Sequence, residues 1–140
     1  MSRKPIVEQA GQTGPRAVVE AFWAAMRAND WPAAGALLAD DAAVDFVCSG
    51  ERFSRERWVE LQGIYPAAGR WAFDLHRIVA DGDCVVSEVT VTDGRVSARA
   101  VVFSEVGAGR ITRQVEYWPT AYEPPGWRAG LAERIDPVPS

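Results

Sequence analysis

The chain has 140 residues, 48% of them hydrophobic and 24% charged, with a formal net charge of −4. That is the size and balance of one globular domain with room for a core. It argues against a nucleic-acid partner, because the lysines and arginines are scattered and form no basic stripe.

Residues 1–14 are polar and rich in Gly and Gln, and are expected to form a flexible N-terminal arm. A helix is predicted from Pro15, since proline suits a first turn. Val18, Phe22 and Met26 recur there at helical spacing, flanked by Val19 and Trp23. Asn29–Asp30 stops it, and Asp30 is placed to cap a short second helix, WPAAGALLAD. DDAAVDFVCS then reads as a strand. Ser54 is placed to cap a third helix, SRERWVELQGIYP, which Pro66 ends.

After Arg70 the character changes. Four strand-like runs follow, Trp71–Ala80, Cys84–Thr92, Val96–Glu105 and Arg110–Trp118, separated by the turn signals ADGD, TDGR and VGAGR. Turns this short force antiparallel neighbours. Residues 121–140 form a Pro-rich C-terminal extension in which GWRAGLAERI reads as a short helix. Helices first and a meander afterwards define an α+β fold, a cone-shaped curved antiparallel sheet wrapped around three N-terminal helices. The interior of such a cone is a natural small-molecule pocket.

No apolar run approaches the roughly 18 residues of a membrane-spanning helix. No segment has a signal-peptide core, so no membrane partner is expected and the cytoplasm is the default location. Cys48 and Cys84 are too few for a disulfide framework and read as buried free thiols in strands. A single histidine and no Cys/His cluster leave no zinc site, and no cofactor is expected. The Gly107–Gly109 turn joins two strands and opens no helix, so it is no phosphate cradle.

Three stretches carry a resemblance: VVEAFWAAMRANDWPAAGALLADDAAVDF, HRIVADGDCVVSEVTVTDG and GRITRQVEYWP. In their order they resemble the nuclear transport factor 2-like superfamily, specifically its SnoaL-like branch, over residues 15–120. The resemblance implies the fold above and a homodimer formed through the outer face of the sheet. It does not imply one function, because the superfamily holds isomerases, epoxide hydrolases, cyclases, dehydratases and non-enzymatic binders. Against ketosteroid isomerases, the oxyanion-binding tyrosine falls on Phe22, the general-base aspartate on Phe46 and the protonated aspartate on Val101. Phe and Val cannot fill those roles. Against limonene epoxide hydrolases, the Asp–Arg–Asp set falls on Val89, Val91 and Glu116, and one carboxylate is retained.

Both comparisons imply a concave face bearing Phe46, Ser87, Val89, Val91, Arg99, Val101, Phe103, Gln114, Glu116 and Trp118, with Phe22 opposite. Such a face, mostly apolar with a few polar points, suits a small hydrophobic ligand. Glu116 is the candidate acid/base, because an apolar cone raises a carboxyl pKa; its alternative role is a structural ion pair with Arg99. Arg99 and Gln114 would orient a ligand, and Trp58 and Tyr65 would line the pocket mouth or pack in the core. Asp45 should point away from the pocket, His76 reads as structural, and Glu88 should face outward. Two functions stay open: a cofactor-independent isomerase, hydratase or cyclase acting on a small hydrophobic metabolite, and a non-catalytic ligand-binding or partner-binding homodimer.

Overall fold

Three helix starts follow from local chemistry. In the computed structural model, which describes residues 14–139, α1 spans Pro15–Arg27 with proline in its first turn. The expected N-terminal arm lies outside the described residues, save for Gly14. Helix α2 spans Trp31–Ala36, and Asp30 caps it by accepting the Ala33 N–H at 3.1 Å. Helix α3 spans Arg55–Ile64, and the Ser54 hydroxyl accepts the Arg57 N–H. Asn29 ends α1 in the left-handed region, at φ 55°, a conformation that asparagine tolerates better than most residues. Its side chain then acts as a piece of strand. Nδ2 donates to the Trp71 carbonyl at 2.8 Å, and Oδ1 accepts the Trp71 N–H at 2.9 Å.

Among the described residues six strands make one sheet, in the order β2-β1-β6-β5-β4-β3. They are β1 Leu38–Phe46, β2 Glu51–Ser54, β3 Ala72–Asp81, β4 Cys84–Thr92, β5 Ser97–Gly107 and β6 Arg110–Tyr117. Two features depart from the sequence expectation. ERFS forms a short edge strand, β2, and β1 lies parallel to β6 while every other pair is antiparallel. The parallel pair is possible because α3 and the meander supply the long connection that parallel neighbours require. The C-terminal extension holds only a 3₁₀ helix, Gly126–Leu131, with no buried residue. Among the described residues no helix is long and apolar enough to cross a membrane.

The sheet's inner face packs on α1, which buries Val18, Val19, Phe22, Trp23 and Met26. Period-two burial along β4 puts Val85, Ser87, Val89 and Val91 inside. The one buried hydrogen bond between side chains of α1 and β4 runs from Trp23 Nε1 to Ser87 Oγ, at 2.9 Å. The expectation of two buried thiols is corrected: Cys48 sits in the exposed turn after β1, and Cys84 at the start of β4 is half-buried. Helices α2 and α3 meet closely at Gly35, where a β-carbon would overlap the stiff γ-methyl of Val59. Gly35→Ala is therefore expected to destabilise the protein by about 1–3 kcal/mol through overpacking, read as a lowered midpoint in urea titration.

Candidate functional site

Side chains two residues apart on a strand share a face, so β6 and its extension carry Gln114, Glu116 and Trp118 inward together. Glu116 is only 5% exposed. Its strand partners are Val102 on β5 and Phe46 on β1, neither of which offers charge. The carboxylate is held by neutral donors instead. Gln114 Nε2 donates to Oε2 at 2.8 Å, and Trp118 Nε1 donates to Oε1 at 2.9 Å. The Ser104 hydroxyl donates to Gln114 Oε1 at 3.1 Å, which occupies the amide oxygen and turns the amide nitrogen toward Glu116. Burial pushes the Glu116 carboxyl above its ordinary value, and the bonds from Gln114 and Trp118 offset part of that rise.

Glu116 and Trp118 open onto a cavity of about 190 Å³. Helix α1 contributes Phe22, Trp23 and Met26, and α3 contributes Trp58 and Gln62. Phe46 comes from β1, Phe73 from β3, and Tyr65 and Trp71 from the segment between α3 and β3. Val91, Val96 and Ala98 close the β4–β5 end. The rings brace one another: Phe22 lies 5.6 Å from Trp58, and Tyr65 meets Trp71 edge-on at 5.8 Å. At this end Asp93 joins two loops. Its carboxylate accepts the N–H groups of Ala68, Val96 and Arg95 at 2.7, 2.9 and 2.9 Å, and these bonds hold its pKa down at about 2.

The residues expected from the sequence fall into three groups. Phe22, Phe46, Trp58, Tyr65, Val91, Glu116 and Trp118 line the cavity. Ser87, Val89 and Gln114 lie on the inner face but are fully buried and do not line it. Ser87 is occupied by Trp23, and Gln114 by Ser104 and Glu116. Arg99, Val101 and Phe103 are corrected to the outer face. The β4–β5 pairing sets Ser87 opposite Val102 and Val89 opposite Ala100, so the even-numbered residues of β5 point inward. Arg99 instead donates to Thr90 Oγ1 and lies 3.7 Å from Glu88, and the expected ion pair with Glu116 does not form.

Glu88 and His76 also lie outside: Glu88 bonds Arg77 at 2.9 Å, and His76 Nε2 lies 2.6 Å from Thr90 Oγ1. Asp45 points away from the cavity, held between Arg52 and Arg113, whose hydrogen bonds keep its pKa down at about 2. Several cavity residues were not singled out from the sequence. Gln62 lies one helical turn beyond Trp58, so helical spacing leads to it; Met26, which shares the apolar face of its helix with Phe22, lies one turn beyond Phe22 and extends that face into the cavity. Trp71 and Phe73 follow from strand alternation once the face is known.

The profile of the SnoaL-like domain family matches residues 19–114. Among solved structures, the chain is 32% identical to a Kribbella flavida DSM 17836 protein provisionally assigned as a ketosteroid isomerase. The TM-score is 0.79, with 87% of this chain and 90% of that one covered. It is 29% identical to an NTF-2 like protein of unknown function from Burkholderia xenovorans LB400, TM-score 0.70, covering 87% and 95%. It is 30% identical to an LEH-like epoxide hydrolase of M. tuberculosis, TM-score 0.61, covering 75% and 82%. Among curated proteins none matches the sequence. The chain belongs to the SnoaL-like domain family, and is a small-molecule pocket protein with the NTF2-like α+β cone.

The raised pKa of Glu116 has a stability consequence with a definite sign. The folded state holds this proton more tightly than the unfolded chain, whose value is near 4.5. The contribution to stability is therefore complete below that value and is lost as pH rises toward the folded pKa. Glu116→Gln cannot ionise, so its melting temperature should gain on wild type as pH rises from about 4.5 into the alkaline range. Paired thermal melts across that range check it.

Proposed function

We propose that the protein is a cofactor-independent acid–base enzyme acting on a small, largely hydrophobic metabolite. The single observation that carries this reading is Glu116: a buried carboxyl with no counter-charge among the described residues, fixed by two N–H donors, facing an aromatic cavity. Its raised pKa brings proton transfer toward neutral pH, where a general acid or base is most effective. Gln62 and Tyr65 are the further residues of the wall that carry polar groups suited to orient a ligand. Relatives assigned to ketosteroid isomerisation and epoxide hydrolysis support proton chemistry of this type. Isomerisation, hydration or dehydration, and ring closure are all within reach of one such group.

A second reading, a non-catalytic ligand carrier, is favoured by a different observation. Phe46 and Phe22, which line the cavity, stand at the positions where the resemblance to ketosteroid isomerases puts the general base and the oxyanion donor, and neither can move a proton. Turnover decides between them. Purified protein is screened against cyclic enones, epoxides and β-keto compounds, and Glu116→Gln is expected to lower the rate by roughly 10²–10⁴ while retaining the fold. Tight retention of an unconsumed ligand, seen by native mass spectrometry, overturns the enzymatic reading in favour of the carrier.

We further propose that the protein works as a cytoplasmic homodimer. Unpaired Cys48 and Cys84 suit a reducing compartment. The outer face of the sheet presents Val101, Phe103, Val115 and Tyr117 as an apolar centre. Phe103 and Tyr117 are about two-fifths exposed, and charged groups flank them at Arg77–Glu88 and Asp45–Arg113. An apolar core with a polar rim is the anatomy of an interface. Phe103→Asp should shift the sedimentation coefficient from dimer to monomer; an unchanged dimer would place the interface elsewhere.

A further inference from the structure

The wall of the Glu116 cavity combines two features that a purely hydrophobic ligand does not need together. Eight of its fourteen lining residues are aromatic. Its one carboxylate has no cationic partner, and no lysine or arginine lines the cavity among the described residues. Aromatic faces carry negative potential and attract cations, best when water is excluded. A carboxylate has about four acceptor sites, and the two recorded bonds from Gln114 and Trp118 leave capacity for a further donor or a positive charge. Aromatic rings and an ionised Glu116 both favour a positive ligand centre, which would supply the counter-charge that the described residues do not.

From this we infer that the natural ligand carries a positively charged nitrogen, a tertiary or quaternary ammonium on a compact apolar body, seated between Glu116 and the rings of Trp58, Phe46 and Trp118. This rests on the pocket reading above and specifies the ligand's charge. The cavity volume corresponds to about six waters' worth of liquid, which admits a branched amine of small size. An anionic ligand is disfavoured, because it would meet Glu116 with nothing to balance it.

Cation binding must be linked to the ionisation of Glu116. The groups facing it are uncharged: Gln114 and Trp118 on its own strand, Val102 on β5, Phe46 on β1, with Phe22 on α1 and Trp58 and Gln62 on α3 completing the wall. Tyr65 is the other titratable side chain lining the cavity. Burial holds the Glu116 proton beyond its ordinary range, so a cation must displace it, and cation affinity should rise with pH.

The test uses three probes of one branched shape and different charge: choline, its neutral carbon isostere 3,3-dimethylbutan-1-ol, and the anion 3,3-dimethylbutanoate. Binding to the full-length protein is read by tryptophan fluorescence and calorimetry at about pH 8 and about pH 5. Choline is expected to bind at least about tenfold more tightly than the alcohol at the higher pH, with the anion weakest. Its advantage should shrink at the lower pH while alcohol binding stays level. In Glu116→Gln the cation's advantage over the alcohol should fall to within about threefold. Equal or tighter binding of the alcohol by wild type overturns the inference and leaves the pocket reading intact, independently of how the variant folds. Binding of none of the three overturns both.

Discussion

A carboxylate taken out of water, with no cation beside it among the described residues, is the constraint from which the rest of the site follows. The cost of desolvating an isolated ion in a protein interior is several kcal/mol, and two responses are open. The group can keep its proton, or fixed dipoles can stand in for water. Glu116 uses both. Its pKa is raised by burial, and two N–H groups aim at its oxygens. Each donor must itself be oriented. Ser104 occupies the oxygen of Gln114 so that only the amide nitrogen can face Glu116. Trp118 puts its indole edge toward the carboxylate and also lines the cavity. Because Gln114, Glu116 and Trp118 alternate along one chain segment, strand geometry holds donors and acceptor together.

The same economy of charge holds the cavity's mouth. Asn29 pairs with the backbone of Trp71 through both atoms of its amide, which fixes the start of β3 against the end of α1. Asp93 gathers three backbone N–H groups from the loop at Ala68 and the β4–β5 turn. Neither clamp brings a cation into the wall. The rings at this end, Tyr65, Trp71 and Phe73, therefore surround a space whose potential is set by Glu116 and by aromatic faces.

The helices and the four long strands were legible because capping residues and turn chemistry act locally: Asp30, Ser54 and the turns at Gly82, Gly94 and Gly109 each specify their own neighbourhood. Facing was harder to read, because it depends on hairpin parity. Thr92 pairs with Ser97, so odd-numbered residues of β4 share a face with even-numbered residues of β5. That sends Arg99, Val101 and Phe103 outward. At the next turn Gly107 pairs with Arg110, which by itself would turn the odd residues of β6 inward. A bulge beyond Val106 shifts the register so that Glu105 meets Arg113 and Ser104 meets Gln114. Glu116 faces inward because of that bulge, and nothing in RITRQVEYWP alone announces it. Strand β2 and the parallel β1–β6 pair were equally silent, since ERFS has little strand character and the pairing joins distant segments.

The two faces of the sheet treat carboxylates in opposite ways. On the outer face Asp45 sits between Arg52 and Arg113, and Glu88 beside Arg77 and Arg99; both are held below their ordinary pKa values. On the inner face Glu116 is pushed above its own. The difference is one residue wide, for Asp45 is in register with Val115, and Phe46 with Glu116. A one-residue slip of β6 would turn Gln114, Glu116 and Trp118 outward among the arginines and carry Arg113 and Tyr117 into the core. Apolar burial resists that slip, and so does charge, because an arginine inside would lose Asp45 and gain no partner in an aromatic wall. The register that buries Glu116 is thus the same register that keeps every arginine of the sheet in reach of solvent, and neither can change without the other.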